Sequence, residues 1–264
     1  MPSERATSER LPRLRPALDA TLRGRGRKGA VRAGASLAVR GSLDAMVRSS
    51  AQASVPFDPT VYPVEDDVGE EILQRWITET LRPLLARFLA KRGRPVFVGA
   101  DQFIYWEQFN PQKAVSPDVY VLPGVSPRTP VTCWRVWETG IVPSFAVEVV
   151  ARDARKDYAA APLRYAELGV RELVVFDPHW RESARRVCWQ VYRRTRRGDF
   201  LQVASTNDDR VRSAVLRCWL RRTGEGVDTR LRLATGRRGI ELVRTPEEEL
   251  EHLRATLARA PRAR

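Results

Sequence analysis

The chain has 264 residues, 43% of them apolar and 30% charged, and its 46 Lys and Arg residues against 32 Asp and Glu residues give a formal charge of +14. A chain of this length and composition can bury a core, and it contains no run of about 18 apolar residues that could span a bilayer. The first residues lack the apolar segment of a secretory signal, so we expect a cytoplasmic protein. Three scattered cysteines and two histidines exclude a disulfide framework and a structural zinc site, so any metal must bind oxygen ligands.

The positive charge favours a polyanionic partner such as nucleic acid, but its distribution weakens that argument. Residues 1–45 hold ten basic and four acidic residues and therefore account for +6 of the charge. Four of the 46 basic residues are lysine, a bias that a GC-rich genome produces without functional selection.

The first 50 residues are rich in Arg, Gly, Ser and Ala and show no hydrophobic period, so we predict that they are disordered. They could form a basic arm that binds nucleic acid; an Arg-rich transit peptide is disfavoured by their four acids. The domain pattern begins shortly after Met46, which favours Met46 as the natural start and the preceding residues as a misassigned extension.

From Gly69 the apolar residues recur at helical spacing, and this predicts an amphipathic helix that ends near Gly93, with a kink or break at Pro83. Strands are predicted next, then a second helix over 158–168 closed by Gly169, and then a further strand. The predicted strands are 95–99, 103–106, 118–122, 144–150 and 172–176. This order predicts an α/β fold, a mixed sheet with helices on its faces.

After Pro178 the pattern changes to antiparallel strands followed by a final helix over 245–260. Thr245 is the expected N-cap, Pro246 occupies the first helical position, and three glutamates fill the first turn. The predicted strands are 187–194, 199–205, 214–222 and 229–235.

Two carboxylates lie in apolar strands. Glu148 stands in the middle of SFAVEVV (144 to 150), where a lone buried charge is costly and requires a partner or a cation. Asp118 opens the strand DVYVL (118 to 122). Carboxylates on adjacent strands can bind Mg²⁺, although an Asp after Pro at a strand start is most often a turn residue and Glu148 could pair with an arginine.

Three stretches carry a family resemblance: SPDVYVLPGV (116 to 125), WRVWETGIVPSFAVEVV (134 to 150) and KDYAAAPLRYAELGVRELVVFDP (156 to 178). In wording, order and spacing they resemble the Uma-type (Uma-two) family of restriction endonucleases, a bacterial branch of the PD-(D/E)XK nuclease superfamily. The resemblance extends over nearly all of the chain after about Pro56.

The resemblance implies a restriction-endonuclease-like core over 51–205, with the strands and helix of 206–264 packed on it. It implies an Mg²⁺-dependent (or Mn²⁺-dependent) DNA endonuclease, which acts on double-stranded DNA and could assemble as a homodimer. Asp118 and Glu148 would be catalytic residues and metal ligands. Glu71 on the first helix would reach the metal through water.

The chain departs from the family pattern at the lysine. Val150 stands two residues after the glutamate, and Ala161 occupies the alternative lysine position on the following helix, four residues before Tyr165. Lys156 is the best substitute as the catalytic cation, although it could be a solvated loop residue. Asp157 is an expected helix N-cap. The alternative function is a catalytically degenerate module of the same fold that binds nucleic acid or regulates a partner.

Two further groups could contact nucleic acid. Tyr105, Trp106, Trp134 and Trp137 could line a cleft, but core packing is the favoured interpretation. The run RRTRRG (193 to 198) could bind phosphates at a hairpin tip, or it could be a solvated turn.

Overall fold

The structure is a computed structural model that describes residues 58–60, 62, 72–151 and 156–259, without the side chains of Lys156 and Asp157. The predictions made for residues 1–50, for Met46 as the start and for Glu71 lie outside the described residues. Among the described residues, no helix is both long and apolar enough to cross a membrane.

The first helix, α1 (Ile72–Ala90), buries one stripe of side chains because its apolar residues repeat every three to four positions. The buried members are Ile77, Leu81, Leu84, Leu85 and Leu89. Of the kink or break expected at Pro83, the break is wrong, since the helix runs through this residue. Pro83 lies on the exposed side, where the lost hydrogen bond costs less than the burial of the adjacent leucines contributes.

A six-stranded mixed sheet has the order β1-β4-β6-β7-β8-β9. All neighbouring pairs are antiparallel except β6 and β7, which are parallel. The strands are β1 (Val96–Gly99), β4 (Val119–Pro123), β6 (Phe145–Val149), β7 (Glu172–Phe176), β8 (Trp189–Arg194) and β9 (Phe200–Thr206). Strands β6 and β7 both finish at one end of this sheet, and we call that end the site end. Strand β1 also finishes at the site end, and β4 and β8 begin there.

The parallel strands β6 and β7 are joined through a π-helical turn, Lys156–Ala160, that continues into α3 (Ala161–Leu168). Gly169 ends the helix at φ 92°, a conformation that favours glycine, and its N–H bonds to the Tyr165 carbonyl at 3.2 Å. The second predicted helix is therefore present. Asp157 lies inside the π-helical turn, and the N-cap position of α3 is Ala160, so the N-cap prediction for Asp157 is wrong for this helix.

Two smaller sheets flank the six-stranded one. The order β3-β2-β5 combines β2 (Ile104–Tyr105), β3 (Ala114–Val115) and β5 (Trp134–Arg135), which precedes the short α2 (Val136–Thr139). The order β10-β11-β12-β13 combines β10 (Arg210–Ser213), β11 (Cys218–Thr223), β12 (Arg230–Thr235) and β13 (Glu241–Leu242). The helix α4 (Pro246–Arg259) follows.

We call the sheet of β10 to β13 the C-terminal sheet. Helix α1 packs between it and the six-stranded sheet, and one hydrophobic core joins all three. Glu172 of β7 connects the two sheets from a fully buried position. Its carboxylate accepts hydrogen bonds from Arg193 Nε at 2.7 Å, from the Ala214 N–H at 3.1 Å and from the Ser213 hydroxyl. The architecture is the mixed α/β fold that the sequence predicts.

The start of α4 depends on a capping box. Thr245 Oγ1 accepts the N–H of Glu248 at 3.3 Å, and Glu248 Oε2 accepts the N–H of Thr245 at 2.9 Å. Glu248 also accepts two hydrogen bonds from Arg232, at 2.7 and 3.0 Å, and these lower the pKa of its carboxyl group.

We therefore expect acid to loosen α4. Because the folded pKa of Glu248 lies below its unfolded value of about 4.3, its stabilisation is full above that value and is lost as the pH falls through the folded pKa. Amide hydrogen exchange in α4 should become faster, relative to the rest of the chain, as the pH falls below about 4.3. The variant Glu248→Gln should show a smaller change. Equal changes in both proteins would contradict this role for Glu248.

Candidate active site

Two carboxylates meet at the site end because of the strand register. In the antiparallel pair of β4 and β6, Val119 lies opposite Val147 and Tyr120 lies opposite Ala146. One further step along the same register places Asp118 opposite Glu148. Asp118, directly before β4, and Glu148, near the end of β6, therefore lie on neighbouring chain segments at the site end.

Asp118 is almost completely buried, with 2% of its surface exposed. Its Oδ1 accepts a hydrogen bond from Gln74 Nε2 of α1 at 2.6 Å, and its Oδ2 accepts one from the backbone N–H of Val149 at 2.6 Å. These donors offset the cost of burying the charge and fix the carboxylate beside the residue that follows Glu148. Asp118 is thus not only a turn residue after Pro117, because its carboxylate connects α1 with β6.

Glu148 is half-buried in β6, and one of its partners is Tyr165 of α3. The tyrosine hydroxyl donates to Glu148 Oε1 at 2.5 Å from a completely buried ring. Because Tyr165 is packed in the core that α3 shares with the sheet, its hydroxyl fixes the orientation of the Glu148 carboxylate. The sequence pattern gave no sign of this bond.

We expect Tyr165→Phe to lower, without eliminating, any activity that depends on Glu148. The ring keeps its place in the core, while the lost hydrogen bond contributes about 1.5 kcal/mol, which corresponds to about a tenfold loss of rate. The measurement is turnover at saturating substrate beside the thermal midpoint of unfolding. A variant as active as the wild type would show that Tyr165 does not orient Glu148 for function.

Comparison with known proteins assigns the chain to a family. A family model described as "Putative restriction endonuclease" and named Uma2 matches residues 66–222, which is more than half of the chain. The chain belongs to the Uma2 family. The resemblance seen in the sequence is therefore confirmed, and both Asp118 and Glu148 lie inside the matched region.

One solved structure similar to this chain is that of a putative nuclease belonging to DUF820 from Anabaena variabilis ATCC 29413. The two chains are 11% identical, and they align with a TM-score of 0.41 over 57% of this chain and 76% of that chain. No curated protein matches the chain.

The donor set of this Uma2 site fits a hard divalent cation. Mg²⁺ prefers oxygen ligands and is commonly bound by one or two carboxylates together with waters and substrate phosphates. Asp118 and Glu148 offer two carboxylates on opposed strand ends. Within the described ranges no three His, Cys, Asp or Glu residues group together as they would for a fully protein-bound ion. Two carboxylates leave the other coordination positions of an Mg²⁺ ion to waters and substrate phosphates.

The two positions at which the Uma2 pattern places a lysine are filled by small or buried apolar side chains. Val150 is 1% exposed and belongs to the same core as Tyr165. Ala161 packs against that core at the first position of α3. Lys156 lies in the π-helical turn that follows the site end of β6, but its side chain is outside the described part of the chain.

A buried ion pair that the sequence did not reveal lies at the same end of the sheet as the two carboxylates. Asp177, directly after β7, is completely buried and accepts hydrogen bonds from Arg186 Nε at 2.7 Å and Nη2 at 2.9 Å. Arg186 Nη2 also donates to the Ala151 carbonyl at 3.1 Å, and the Tyr158 hydroxyl donates to Asp177. The Asp177 bonds raise the pKa of Arg186, which stays charged. Burial and the same aspartate raise the pKa of Tyr158, which stays protonated.

This ion pair touches the chain on both sides of Lys156, since Ala151 ends the β6 segment and Tyr158 lies within the π-helical turn. The dipeptide DP at the end of a buried strand was a recognisable signal for Asp177. Arg186 gave none, because it lies in an irregular stretch nine residues further along.

Most of the other candidate contacts for nucleic acid are engaged elsewhere, although Arg196 and Arg197 at the hairpin tip are exposed. The four aromatic residues pack in hydrophobic cores, Tyr105 and Trp134 being buried and Trp106 and Trp137 partly buried. In RRTRRG, Arg193 bonds to Glu172, and Arg194 donates to the carbonyls of Ala166 and Val170 near the end of α3. The hairpin also lies at the opposite end of the sheet from the carboxylates, because β8 begins at the site end.

Proposed function

We propose that the protein is an Mg²⁺-dependent endonuclease that hydrolyses phosphodiester bonds in double-stranded DNA. The observation that carries the proposal is the opposition of Asp118 and Glu148 at the ends of β4 and β6, each held by a donor from a different helix. Membership in a family described as putative restriction endonucleases supports the same reaction class.

Asp118 and Glu148 would hold the cation, which when bound polarises a phosphate oxygen and lowers the pKa of a coordinated water. Gln74 and the Val149 N–H hold the Asp118 carboxylate in place, and Tyr165 holds that of Glu148. Because these donors come from packed helices and a strand, the carboxylates are already oriented when substrate arrives. Mn²⁺, which also accepts oxygen ligands, should replace Mg²⁺ at this site.

Lys156 is our proposed cation for the charge that develops on the phosphate. We expect Lys156→Met to reduce cleavage by about 10²-fold, because a fixed positive group near the transition state contributes about 2.7 kcal/mol. The matched control is Lys113→Met, since Lys113 is bound to Glu167 on the surface. Steady-state cleavage of a plasmid measures both variants. Equal activity of Lys156→Met and the wild type would exclude Lys156 from the reaction.

A second candidate function is binding without hydrolysis, as a degenerate module that holds nucleic acid or regulates a partner. It is favoured by the apolar residues at both lysine positions, Val150 and Ala161. Calorimetric titration with Mg²⁺ and Mn²⁺ separates the two functions. The endonuclease requires metal binding that disappears in both Asp118→Asn and Glu148→Gln, whereas the degenerate module predicts no carboxylate-dependent binding.

The direct test of the endonuclease is cleavage of supercoiled plasmid and linear duplex by the full-length chain. We expect nicks and double-strand breaks with Mg²⁺ or Mn²⁺ and none with EDTA. Absence of cleavage of duplex, branched and single-stranded DNA with every divalent metal would contradict the proposal.

A homodimer is the assembly we propose, because a double-strand break requires two phosphodiester bonds to be cut and each chain offers one site. Sedimentation velocity over a range of protein concentrations, with and without duplex, measures the stoichiometry. A monomer under all of these conditions that still produces double-strand breaks would contradict the dimer.

A further inference from the structure

A surface of stacked tryptophan and arginine side chains lies at the site end, on the α1 side of the six-stranded sheet. We define this tryptophan–arginine surface by Trp76, Trp180, Arg181, Arg222 and Arg230. We propose that it binds the phosphate backbone of the DNA substrate and holds it against the candidate active site. The inference rests on the proposed function, since it assigns a binding surface to the same reaction.

The first part of this surface is joined to the active site through a single turn of α1. Gln74 of that turn bonds to Asp118, and Trp76, two residues later, is 40% exposed. The Arg230 guanidinium lies over the Trp76 ring, with its carbon 5.1 Å from the ring centre. Arg230 Nη1 also donates to the carbonyls of Val227 and Thr229, at 2.9 and 2.8 Å. The ring and the carbonyls together fix the plane of the guanidinium.

The second part of the surface follows β7. Trp180 comes three residues after Asp177 and packs partly against the core beneath α1. Two guanidinium groups approach its ring, Arg181 at 5.0 Å and Arg222 at 5.9 Å. Arg222 lies on β11 and Arg230 begins β12, so one hairpin of the C-terminal sheet brings arginines to both tryptophans.

The charges on Arg222 and Arg230 are available to an anion. Neighbouring arginines of the same sheet are neutralised, Arg221 by Asp209 and Arg232 by Glu248. Among the described residues neither Arg222 nor Arg230 forms an ion pair; Arg222 Nη1 donates to the Gly224 carbonyl at 3.5 Å, and its Nε is buried. The nearest carboxylates of the hairpin are Glu225, which is bound to Arg181 at 3.0 Å, and the exposed Asp228.

This arrangement suits a phosphate backbone for two reasons. The active-site carboxylates repel phosphates, so a substrate needs positive charge close to them. An arginine stacked on a tryptophan keeps its charge and its in-plane N–H donors while losing little side-chain freedom, which favours contacts with phosphate oxygens. A patch that binds an acidic protein instead would show affinity for that protein and none for DNA.

The test is binding without hydrolysis. A fluorescently labelled duplex of about two helical turns is titrated with full-length protein in EDTA, at several salt concentrations, and anisotropy gives Kd. We expect Arg222→Gln and Arg230→Gln each to weaken binding about fivefold and to reduce the slope of log K against log salt by about one. Thermal unfolding confirms that each variant is folded.

The matched control is Arg212→Gln. Arg212 is exposed and lies 5.8 Å from the ring centre of Trp219, another tryptophan–arginine pair on the same sheet. Trp219 pairs with Ala234, four residues along β11 from Thr223, so this pair is about 13 Å from the hairpin. Arg212→Gln should bind DNA as the wild type does.

The outcomes separate this inference from the proposed function. If both hairpin variants bind DNA with wild-type affinity and salt slope, the proposed role of the tryptophan–arginine surface is contradicted, even when the wild type cleaves DNA. If the hairpin variants lose affinity and the control does not, the surface is supported even when no metal gives cleavage, and the endonuclease proposal alone fails. A wild-type protein that binds an acidic protein but no DNA overturns the surface.

Discussion

Asp118→Asn and Glu148→Gln are each expected to reduce Mg²⁺-dependent cleavage by about 10³-fold or more while the chain remains folded. The loss reflects the several kcal/mol that a bound cation contributes to the transition state of phosphodiester hydrolysis. The fold should tolerate both changes. An asparagine in place of Asp118 could still accept the Val149 N–H and face a rotated Gln74 amide, and a glutamine in place of Glu148 could still accept the Tyr165 hydroxyl.

Single-turnover cleavage of a duplex measures the loss of activity, and the thermal midpoint of unfolding measures whether each variant remains folded. The matched control is Glu79→Gln on α1, an exposed carboxylate bound to Arg75. It should cleave at the wild-type rate. Full activity in either Asp118→Asn or Glu148→Gln would remove that residue from the reaction, and a collapsed thermal midpoint would assign it a structural role.

The second large effect is expected at the buried ion pair. Arg186→Met should destabilise the chain by about 3 to 5 kcal/mol, because it leaves the completely buried Asp177 carboxylate without its ion-pair partner. The side chain of Arg186 is itself 10% exposed, so solvent screens the pair little. Urea unfolding followed by tryptophan fluorescence gives the free energy of unfolding.

The control for this prediction is the double variant Asp177→Asn with Arg186→Met. Removing both charges should recover much of the lost stability, since the penalty comes from the unpaired carboxylate rather than from the lost attraction. A double variant that is as unstable as Arg186→Met, or a single variant as stable as the wild type, would contradict this account.

The regular elements were predictable because their patterns are long and agree with their packing. The apolar repeat of α1 runs the length of the helix, and SFAVEVV is apolar on both faces because β6 lies inside the sheet between two layers. The opposition of Asp118 and Glu148 followed from the adjacency of their strands. The same alternation could not give the register, which the structure supplies through the Val119–Val147 pair.

The short elements were not predictable from pattern. Strands β2, β3 and β5 have two residues each, which is too few for a period to appear. The predicted strand 214–222 begins later, at Cys218, because Ser213 Oγ accepts the Leu216 N–H in a turn and Arg217 adopts φ 53°. Local side-chain bonds of this kind compete with a strand and leave no signature in hydrophobicity.

The partners of the site residues come from distant parts of the chain. Gln74 is 44 residues before Asp118, and Tyr165 is 17 residues after Glu148. Neither of these hydrogen bonds changes the spacing of apolar residues along the chain. The sequence could therefore identify the carboxylates but not the residues that orient them. The family resemblance assigned their roles, and the departure at Val150 and Ala161 indicated that the positive charge must come from elsewhere in the chain.

Asp118 and Glu148 are proposed to hold a divalent cation together, and the whole reaction depends on that ion. The most direct measurement is a crystal structure of the full-length protein soaked in Mn²⁺, with anomalous diffraction collected to locate the metal. We expect an anomalous peak within coordination distance of both carboxylates, and no peak there in crystals of Glu148→Gln. A peak that contacts neither residue, or its absence at saturating Mn²⁺ in the wild type, would contradict the proposal.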